Sequence, residues 1–274
     1  MNEKTEVQDR VSEDAREKVI FFGNGPLAEY ALAVLERECQ VIFHARNRED
    51  LEEVCRLKRE NPEAHGVLAS FGVLIKSDVL ELFEPEGILN IHPSLLPKYR
   101  GASPIESAIL NGDTEFSVSV MKLAQAMDAG PIYYQTTLKD LPIRKDEIYK
   151  ALAETGAKWI VQNLADLPEP GAQDEKEVTY CGKLDKSMSF LTPDRDTAEQ
   201  CFCKIVAYQG YPKPKYTFFG VPCIILEAHA MKPGEEALLA IPCADGRSVA
   251  IERLQPEGRK VMDAKAFING YKKG

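Results

Sequence analysis

Short apolar runs alternate with helix-like segments through the N-terminal part of the chain, and this alternation limits the fold more than any other feature. The apolar runs cover residues 19–22, 41–43, 66–69 and 87–92, and the helical patterns cover residues 27–38, 49–61 and 77–83. Strands that alternate with helices form parallel sheets with helices on both faces. Continuous apolar runs are typical of strands buried on both sides. The sequence therefore predicts an α/β fold with a Rossmann-like, doubly wound, mostly parallel sheet.

A change of composition after this part of the chain predicts a second domain. Helical patterns over residues 104–111 and 145–167 enclose two alternating β-like runs, and a stretch rich in proline and charge, 168–177, follows. Such a stretch is typical of a linker. One helical segment, 198–208, and several short β-like runs with Gly and Pro turns then predict a small OB-like β-barrel.

These patterns give the expected domain organisation. It consists of a flexible, polar N-terminal arm over residues 1–18, a catalytic α/β domain over 19–168, a linker over 169–178 and a C-terminal OB-like domain over 179–274.

Composition excludes several classes of protein. The chain has 274 residues, of which 44% are hydrophobic and 28% charged, as in ordinary globular proteins. No apolar run approaches the roughly 20 residues of a membrane-spanning helix, and the N-terminus lacks the apolar segment of a secretory signal. The seven cysteines are odd in number and show no zinc-ligand spacing. We therefore expect a cytoplasmic protein with reduced thiols, no bound metal and no membrane partner.

Charge is distributed unevenly along the chain. The net charge is −9, but residues 178–274 carry 14 basic and 11 acidic side chains, whereas the remainder carries 20 basic and 32 acidic. A wholly basic nucleic-acid-binding protein is excluded. The positive C-terminal part agrees either with a domain that faces a nucleic acid or with an ordinary solvated surface.

Asn90 and His92 are the first candidates for catalysis. They lie two residues apart at the end of the fourth apolar run, so in a strand both side chains point to the same face. The carboxyl edge of an open α/β sheet is where ligands bind. An amide that stabilises an oxyanion beside an imidazole that moves a proton suits acyl transfer. The alternative is that His92 is a structural residue at a strand end.

Two loops carry further candidates. Asp128 lies in a glycine-containing loop between two β-like runs, where its carboxylate either orients His92 or simply forms a turn. Gly23, Asn24 and Gly25 follow the first apolar run. This turn either approaches an anion with its backbone or is only a tight connection from strand to helix.

Several segments resemble the 10-formyltetrahydrofolate-dependent formyltransferases. Residues 90–97 (Asn-Ile-His-Pro-Ser-Leu-Leu-Pro) and 127–132 (Met-Asp-Ala-Gly-Pro-Ile) are similar to that family's most specific motifs. Residues 100–105 (Arg-Gly-Ala-Ser-Pro-Ile), with the blocks 179–184 and 254–262, resemble the branch that formylates methionyl-tRNA. The resemblance covers about residues 19–270.

This resemblance implies a function and its participants. It implies transfer of a formyl group from the co-substrate 10-formyltetrahydrofolate to the amino group of methionyl initiator tRNA, for translation initiation. It also implies a monomer with no metal, whose partners are initiator methionyl-tRNA and the folate.

The resemblance also implies roles for individual residues. Asn90 and His92 would hold the formyl carbonyl, and Asp128 would tune His92 and help move the proton. The implied folate-binding residues are Ser94, Leu95, Leu96, Pro97, Gly72, Leu74 and Ile75. The implied acceptor-binding residues are Gly23, Asn24, Gly25, Arg100 and Gly101.

One departure from the family concerns tRNA binding. Methionyl-tRNA formyltransferases usually carry a long basic insertion after the second strand, whereas here only Arg46 and Arg48 stand before the next helix. Lys98, Arg100 and the C-terminal domain would then carry more of the phosphate contact. The C-terminal candidates, each of which is also readily explained as a solvated surface residue, are Lys183, Lys186, Lys213, Lys215, Arg259, Lys260, Lys272 and Lys273.

Three other functions remain open at this point. The short segment after the second strand favours another amine acceptor, such as an amino sugar linked to a nucleotide. A second alternative is hydrolysis of 10-formyltetrahydrofolate with water as acceptor. The third is a non-catalytic RNA-binding protein, which would have no need of Asn90, His92 and Asp128.

Overall fold

The computed structural model describes residues 16–272, so the predicted N-terminal arm lies outside the described residues except at its end. The described chain divides into two compact units. The N-terminal unit holds the described residues of Met1–His92, Val118–Thr136 and Lys150–Asp174, and the C-terminal unit holds those of Pro93–Ser117, Thr137–Tyr149 and Glu175–Gly274. The division into domains over residues 19–168 and 179–274 stays a prediction.

The strands of the described residues are numbered in chain order. They are β1 (Lys18–Gly23), β2 (Gln40–Ala45), β3 (His65–Ala69), β4 (Ile88–His92), β5 (Arg100–Gly101), β6 (Phe116–Lys122), β7 (Ile132–Leu138), β8 (Tyr180–Cys181), β9 (Lys215–Phe218), β10 (Val221–Ala230), β11 (Ala240–Pro242), β12 (Ser248–Pro256) and β13 (Met262–Asp263).

The helices follow the same numbering. They are α1 (Pro26–Glu38), α2 (Leu51–Glu60), α3 (Ser77–Leu80), α4 (Pro104–Leu110), α5 (Lys145–Asn163), α6 (Ala198–Ala207) and α7 (Ala264–Tyr271), with 3₁₀ turns at Glu81–Phe83 and Lys186–Ser189.

A six-stranded sheet with the order β2-β1-β3-β4-β6-β7 organises the N-terminal part of the chain. β1 pairs in parallel with β2 and β3, and β3 pairs in parallel with β4, whereas β6 runs antiparallel to β4. The apolar residues of β1 are completely buried, as expected for a strand covered on both faces. The predicted doubly wound, mostly parallel sheet is confirmed.

Helix α5 covers the face of β4 that Ile91 occupies. A Cβ at Gly156 would lie 2.8 Å from Ile91 Cγ2, so the helix can approach this closely only with glycine at that position. The helix is shorter than the sequence predicts. Asn163 Nδ2 donates to Trp159 O and thereby competes with the helical backbone, and Pro168 lies ahead and cannot donate a helical hydrogen bond.

The C-terminal unit contains an antiparallel sheet with the order β11-β12-β10-β9, in which β13 also pairs with β12. Helix α6 begins with a capping box between Thr197 and Gln200 and places Cys201 and Ile205 in the apolar core beside this sheet. The β-rich C-terminal domain is confirmed. Helix α7, which the sequence did not predict, buries Phe267 in the same core.

Candidate active site

Asn90 and His92 lie on the last three residues of β4, at the carboxyl edge of the sheet. The register places Asn90 beside Leu68 on one side and Met121 on the other, and His92 opposite Ser119. Both residues are only 5% exposed. Since residues two apart in a strand share a face, their polar groups project together from a largely buried strand.

Asp128 comes to His92 through a loop that folds back along the sheet. Lys122 pairs with Leu89, so the loop leaves β6 near the amino end of β4, yet Asp128 Oδ1 lies 3.6 Å from His92 Nδ1. The exposed fractions of the two side chains are 14% for Asp128 and 6% for His92. The predicted grouping of amide, imidazole and carboxylate is therefore present within the N-terminal unit.

The geometry of the Asp128 loop depends on a close backbone approach. Asp128 has a φ of 49°, a left-handed conformation that Asp tolerates better than most residues. A Cβ at Gly130 would lie 1.8 Å from Lys122 O, so no larger residue fits there without movement of the backbone. Glycine and aspartate at these positions thus allow the loop to turn back towards His92.

Gln173, which the sequence did not single out, contacts the same loop. Its Nε2 donates to Asp128 O at 2.8 Å and to Gly130 O at 2.7 Å. Gln173 belongs to the stretch interpreted as a linker, and no local pattern connects that stretch with Asp128. Only the backbone pairing of Gly171 with Ile132 reveals that it runs beside β7.

The turn at Gly23, Asn24 and Gly25 lies at the same carboxyl edge as the end of β3. Asn24 N donates to Ser70 O at 3.1 Å, and Gly25 has a φ of 83°. His44 Nε2 lies 2.9 Å from Gly23 O and joins this turn to β2. The turn is a tight βα connection, and Asn24 is exposed on it.

Three of the expected folate-binding residues, Gly72, Leu74 and Ile75, follow β3 in the N-terminal unit. Gly72 has a φ of 69°, and Leu74 is 70% exposed. Ile75 is only 4% exposed and packs in the apolar core with Phe71 and Val79. Leu74 is therefore accessible to a ligand, whereas Ile75 mainly anchors the loop.

The residues Ser94, Leu95, Leu96 and Pro97 belong to the C-terminal unit. Ser94 Oγ donates to Lys98 O at 2.6 Å, and Lys98 N donates to Leu95 O at 3.0 Å, so the segment forms a compact turn. Leu96 is 3% exposed and Leu95 is 41% exposed. Their contact with folate stays a prediction.

Arg100 is buried and paired, which differs from its expected position on a tRNA-facing surface. Its side chain is 2% exposed and forms two hydrogen bonds with Glu175, at 2.8 Å and 3.2 Å. This pair raises the pKa of Arg100 and lowers that of Glu175. A phosphate contact by Arg100 would require the pair to open, because the guanidinium is not presented to solvent.

Gly101 also has a structural reason for its identity. The strand β5 pairs in parallel with β8, and a Cβ at Gly101 would lie 2.0 Å from Cys181 O. Its φ of 129° is a further obstacle to other residues. The short strand pair explains the glycine without a substrate contact.

The basic side chains expected to contact phosphate are mostly exposed. Lys215 is an exception, since its Nζ lies 5.4 Å from the ring centroid of Phe190 and the residue is partly buried. Lys273 lies outside the described residues. The exposed ones are Lys98, Lys183, Lys186, Lys213, Arg259, Lys260 and Lys272.

Within residues 16–272, no group of three or more His, Cys, Asp or Glu side chains is arranged to hold a metal ion. In the same part of the chain, no helix has both the length and the apolar character needed to cross a bilayer.

A mostly parallel sheet with a buried amide and imidazole beside a partly buried carboxylate, followed by an antiparallel domain, defines an α/β enzyme equipped for acyl transfer. Residues 4–164 match the formyl transferase family, and residues 183–272 match the formyl transferase C-terminal domain. The chain belongs to the formyl transferase family.

Two relatives of similar sequence are both named methionyl-tRNA formyltransferase. The chain is 35% identical over 263 residues to a methionyl-tRNA formyltransferase of Thermus thermophilus, which covers 90% of this chain and 82% of that protein. It is 33% identical over 227 residues to the enzyme of the same name from Dictyoglomus thermophilum, which covers 75% of this chain and 71% of that protein.

Solved structures share the fold. HypX from Aquifex aeolicus in complex with tetrahydrofolic acid matches with a TM-score of 0.72 and 17% identity, over 94% of this chain and 48% of that one. This chain thus spans about half the length of HypX. The methionyl-tRNA formyltransferase from Clostridium thermocellum matches with a TM-score of 0.64 and 18% identity, over 90% of this chain and 99% of that one.

Proposed function

We propose that this enzyme transfers the formyl group of 10-formyltetrahydrofolate to the amino group of methionyl initiator tRNA. The observation that carries the proposal is the grouping of Asn90, His92 and Asp128, in which His92 Nδ1 and Asp128 Oδ1 are 3.6 Å apart. The relatives named methionyl-tRNA formyltransferase support this acceptor. The tetrahydrofolate bound to HypX supports a folate as donor.

The three side chains divide the chemistry among them. The amino nitrogen of methionine attacks the formyl carbon, and the Asn90 amide donates to the formyl oxygen as negative charge develops on it. His92 takes up the proton that the amine loses, and Asp128 stabilises the imidazolium. The bond from the formyl carbon to the folate nitrogen then breaks, and the proton passes to that nitrogen.

The loop after β2 supports a reduced role of the N-terminal unit in tRNA binding. Asp50 Oδ2 accepts from Arg46 N and Asn47 N, and Asn47 Oδ1 accepts from Glu49 N and Asp50 N. These bonds close the loop in a few residues. Phosphate contacts therefore fall to the exposed lysines of the C-terminal unit, whose net charge is more positive.

The same compact loop favours one second candidate, formylation of an amino sugar linked to a nucleotide. Such an acceptor needs no long basic loop for an RNA stem. The chemistry at Asn90, His92 and Asp128 would be the same, so only the acceptor distinguishes the two functions.

The remaining parts of the proposal concern the whole protein. It acts in the cytoplasm as a monomer, without a metal or a membrane partner. Residues 19–168 form the catalytic domain and residues 179–274 the tRNA-facing domain. The folate contacts are Ser94–Pro97, Gly72, Leu74 and Ile75, and the acceptor end lies near Gly23–Gly25.

A single-turnover assay tests the acceptor. The enzyme is mixed with 10-formyltetrahydrofolate and methionyl initiator tRNA, beside uncharged tRNA, a nucleotide amino sugar and no acceptor. We expect formyl-methionine only with the charged tRNA. Formylation of the amino sugar alone would establish the second candidate. Formate release without an acceptor would identify a hydrolase. His92→Ala is the control for enzyme-dependent transfer.

A further inference from the structure

The side-chain amide of Gln173 is bonded to the loop that carries Asp128. One nitrogen, Nε2, donates to the backbone oxygens of Asp128 at 2.8 Å and Gly130 at 2.7 Å. An amide NH₂ has two hydrogens, so each carbonyl receives one of them. Both bonds are partly shielded from solvent. Loss of the amide would leave two partly buried carbonyl oxygens without this donor, which is unfavourable.

The backbone around Gln173 is itself fixed. Gly171 N donates to Ile132 O at 2.8 Å, and Ile132 N donates to Gly171 O at 2.7 Å. This reciprocal pair ties Gly171, two residues before Gln173, to the first residue of β7, immediately after the Asp128 loop. The Gln173 amide is therefore held at a defined place rather than carried on a free linker.

The loop needs such support because its conformation is unusual. Asp128 has a left-handed φ of 49°, which costs a non-glycine residue about 1 kcal/mol or more. Within the loop, Ala129 N donates to Ala126 O at the long distance of 3.3 Å. The two carbonyls bonded by Gln173 lie on either side of Ala129, so the amide spans the turn that sets the direction of Asp128.

We propose that Gln173 is a positioning residue for formyl transfer, which holds the Asp128 carboxylate at His92 through two backbone hydrogen bonds. The inference rests on the proposed function, since it assigns Gln173 to the same reaction. In this scheme Gln173 acts on the reaction through Asp128.

The chemistry of the amide makes a sharp test possible. Gln173→Glu keeps the size of the side chain but replaces the NH₂ group, and with it both N–H donors, by a carboxylate oxygen that would face the two carbonyl oxygens. Gln173→Met keeps a similar length without any donor, and serves if the glutamate variant does not fold. Gln209→Glu is the matched control, because Gln209 Nε2 also donates to a backbone oxygen, that of Leu226 at 3.2 Å, in the C-terminal unit.

The measurements are kcat, the KM for 10-formyltetrahydrofolate and the pH–rate profile, with thermal unfolding as a check of the fold. We expect Gln173→Glu and Gln173→Met to lower kcat by about tenfold or more, since small displacements of a catalytic group have effects of this size. The KM should change by less than about twofold, because an effect routed through Asp128 acts on the reaction step. The profile should shift in the same direction as in Asp128→Asn.

A double-mutant cycle separates positioning from a general structural role. If Gln173 acts through Asp128, adding Gln173→Met to Asp128→Asn lowers kcat no further. Three results would each overturn the proposal. They are a kcat in the double variant that falls by the product of the two single losses, a wild-type kcat in both Gln173 variants, and an equal loss of kcat in Gln209→Glu. The cycle is run with whichever acceptor the wild-type enzyme formylates. A wrong acceptor is therefore detected with the wild-type enzyme, whereas a wrong role for Gln173 is detected only with the variants.

Discussion

The imidazole of His92 and the carboxylate of Asp128 lie 3.6 Å apart, from Nδ1 to Oδ1, at the buried edge of the N-terminal sheet. His92 ends a parallel strand, and Asp128 belongs to a loop that leaves the neighbouring antiparallel strand near the opposite end of β4. A carboxylate in this position stabilises positive charge on the ring.

Replacing Asp128 with asparagine should alter the pH dependence of formyl transfer. The variant keeps the shape of the side chain but loses the charge that faces the His92 ring at 3.6 Å. We expect kcat to fall and the pH–rate profile to change, with folate binding largely intact. An unchanged profile, measured over the same pH range, would remove Asp128 from the mechanism.

Removing either side chain on β4 should lower turnover strongly. Loss of a single oxyanion donor costs about 10²–10³ in rate, so Asn90→Ala and His92→Ala should each reduce kcat by at least about 10²-fold. Both residues are 5% exposed, and thermal unfolding must therefore be compared with that of the wild type. Rates near the wild-type value in either folded variant would refute the assignment of the site.

Gly101→Ala should destabilise the protein. The new Cβ would lie 2.0 Å from Cys181 O, at a φ of 129°. Backbone strain and overpacking together suggest a loss of about 3 kcal/mol in the free energy of unfolding. Gly182→Ala is the control, because a Cβ there has no atom within 4 Å and its φ is not positive. Chemical denaturation of the two variants measures the difference, and equal stability would contradict this reading of β5 and β8.

Glu106 should contribute to stability through a buried polar cluster. Its Oε1 accepts from Lys145 Nζ at 2.8 Å and from Tyr149 Oη at 2.7 Å, and burial together with Glu106 raises the pKa of Tyr149. Glu106→Ala leaves a largely buried ammonium without its carboxylate, which costs about 3 kcal/mol or more. The denaturation midpoint of the C-terminal unit should fall, whereas Glu115→Ala, which breaks an exposed pair with Lys139, should leave it nearly unchanged.

His229 should titrate above the usual range of histidine. Glu235 Oε1 lies 2.7 Å from its Nε2 and Glu252 Oε1 lies 2.8 Å from its Nδ1, and these carboxylates raise the pKa of His229. The contribution of these two ion pairs to the stability of the fold is complete below the ordinary histidine pKa of about 6.5. It is lost as the pH rises through the raised pKa of His229. An NMR titration of the ring checks this, and Glu235→Gln should lower the midpoint. A midpoint at or below the ordinary value in the wild type would contradict the prediction.

Much of the N-terminal sheet could be predicted because its signals are local. Continuous apolar runs predicted β1 to β4, and the period of two along β4 placed Asn90 and His92 on one face. Glycine and aspartate marked the turn at residues 128–130. Helix α7 was missed because it is only eight residues long and contains Gly270 near its end, although Asp263 caps its start by accepting from Ala266 N.

The sequence by itself determined the alternation of strands and helices from β1 to β4, the shared face of Asn90 and His92, and, through motif resemblance, the formyl transferase family. Only the tertiary structure decided that the Asp128 loop folds back to His92, that Gln173 bonds to this loop, and that Arg100 is buried against Glu175. The physical reason is the range of the interactions. Strand and helix periods are written in neighbouring residues, whereas a hydrogen bond from Gln173 to Asp128 joins distant segments that meet only once the sheet has formed.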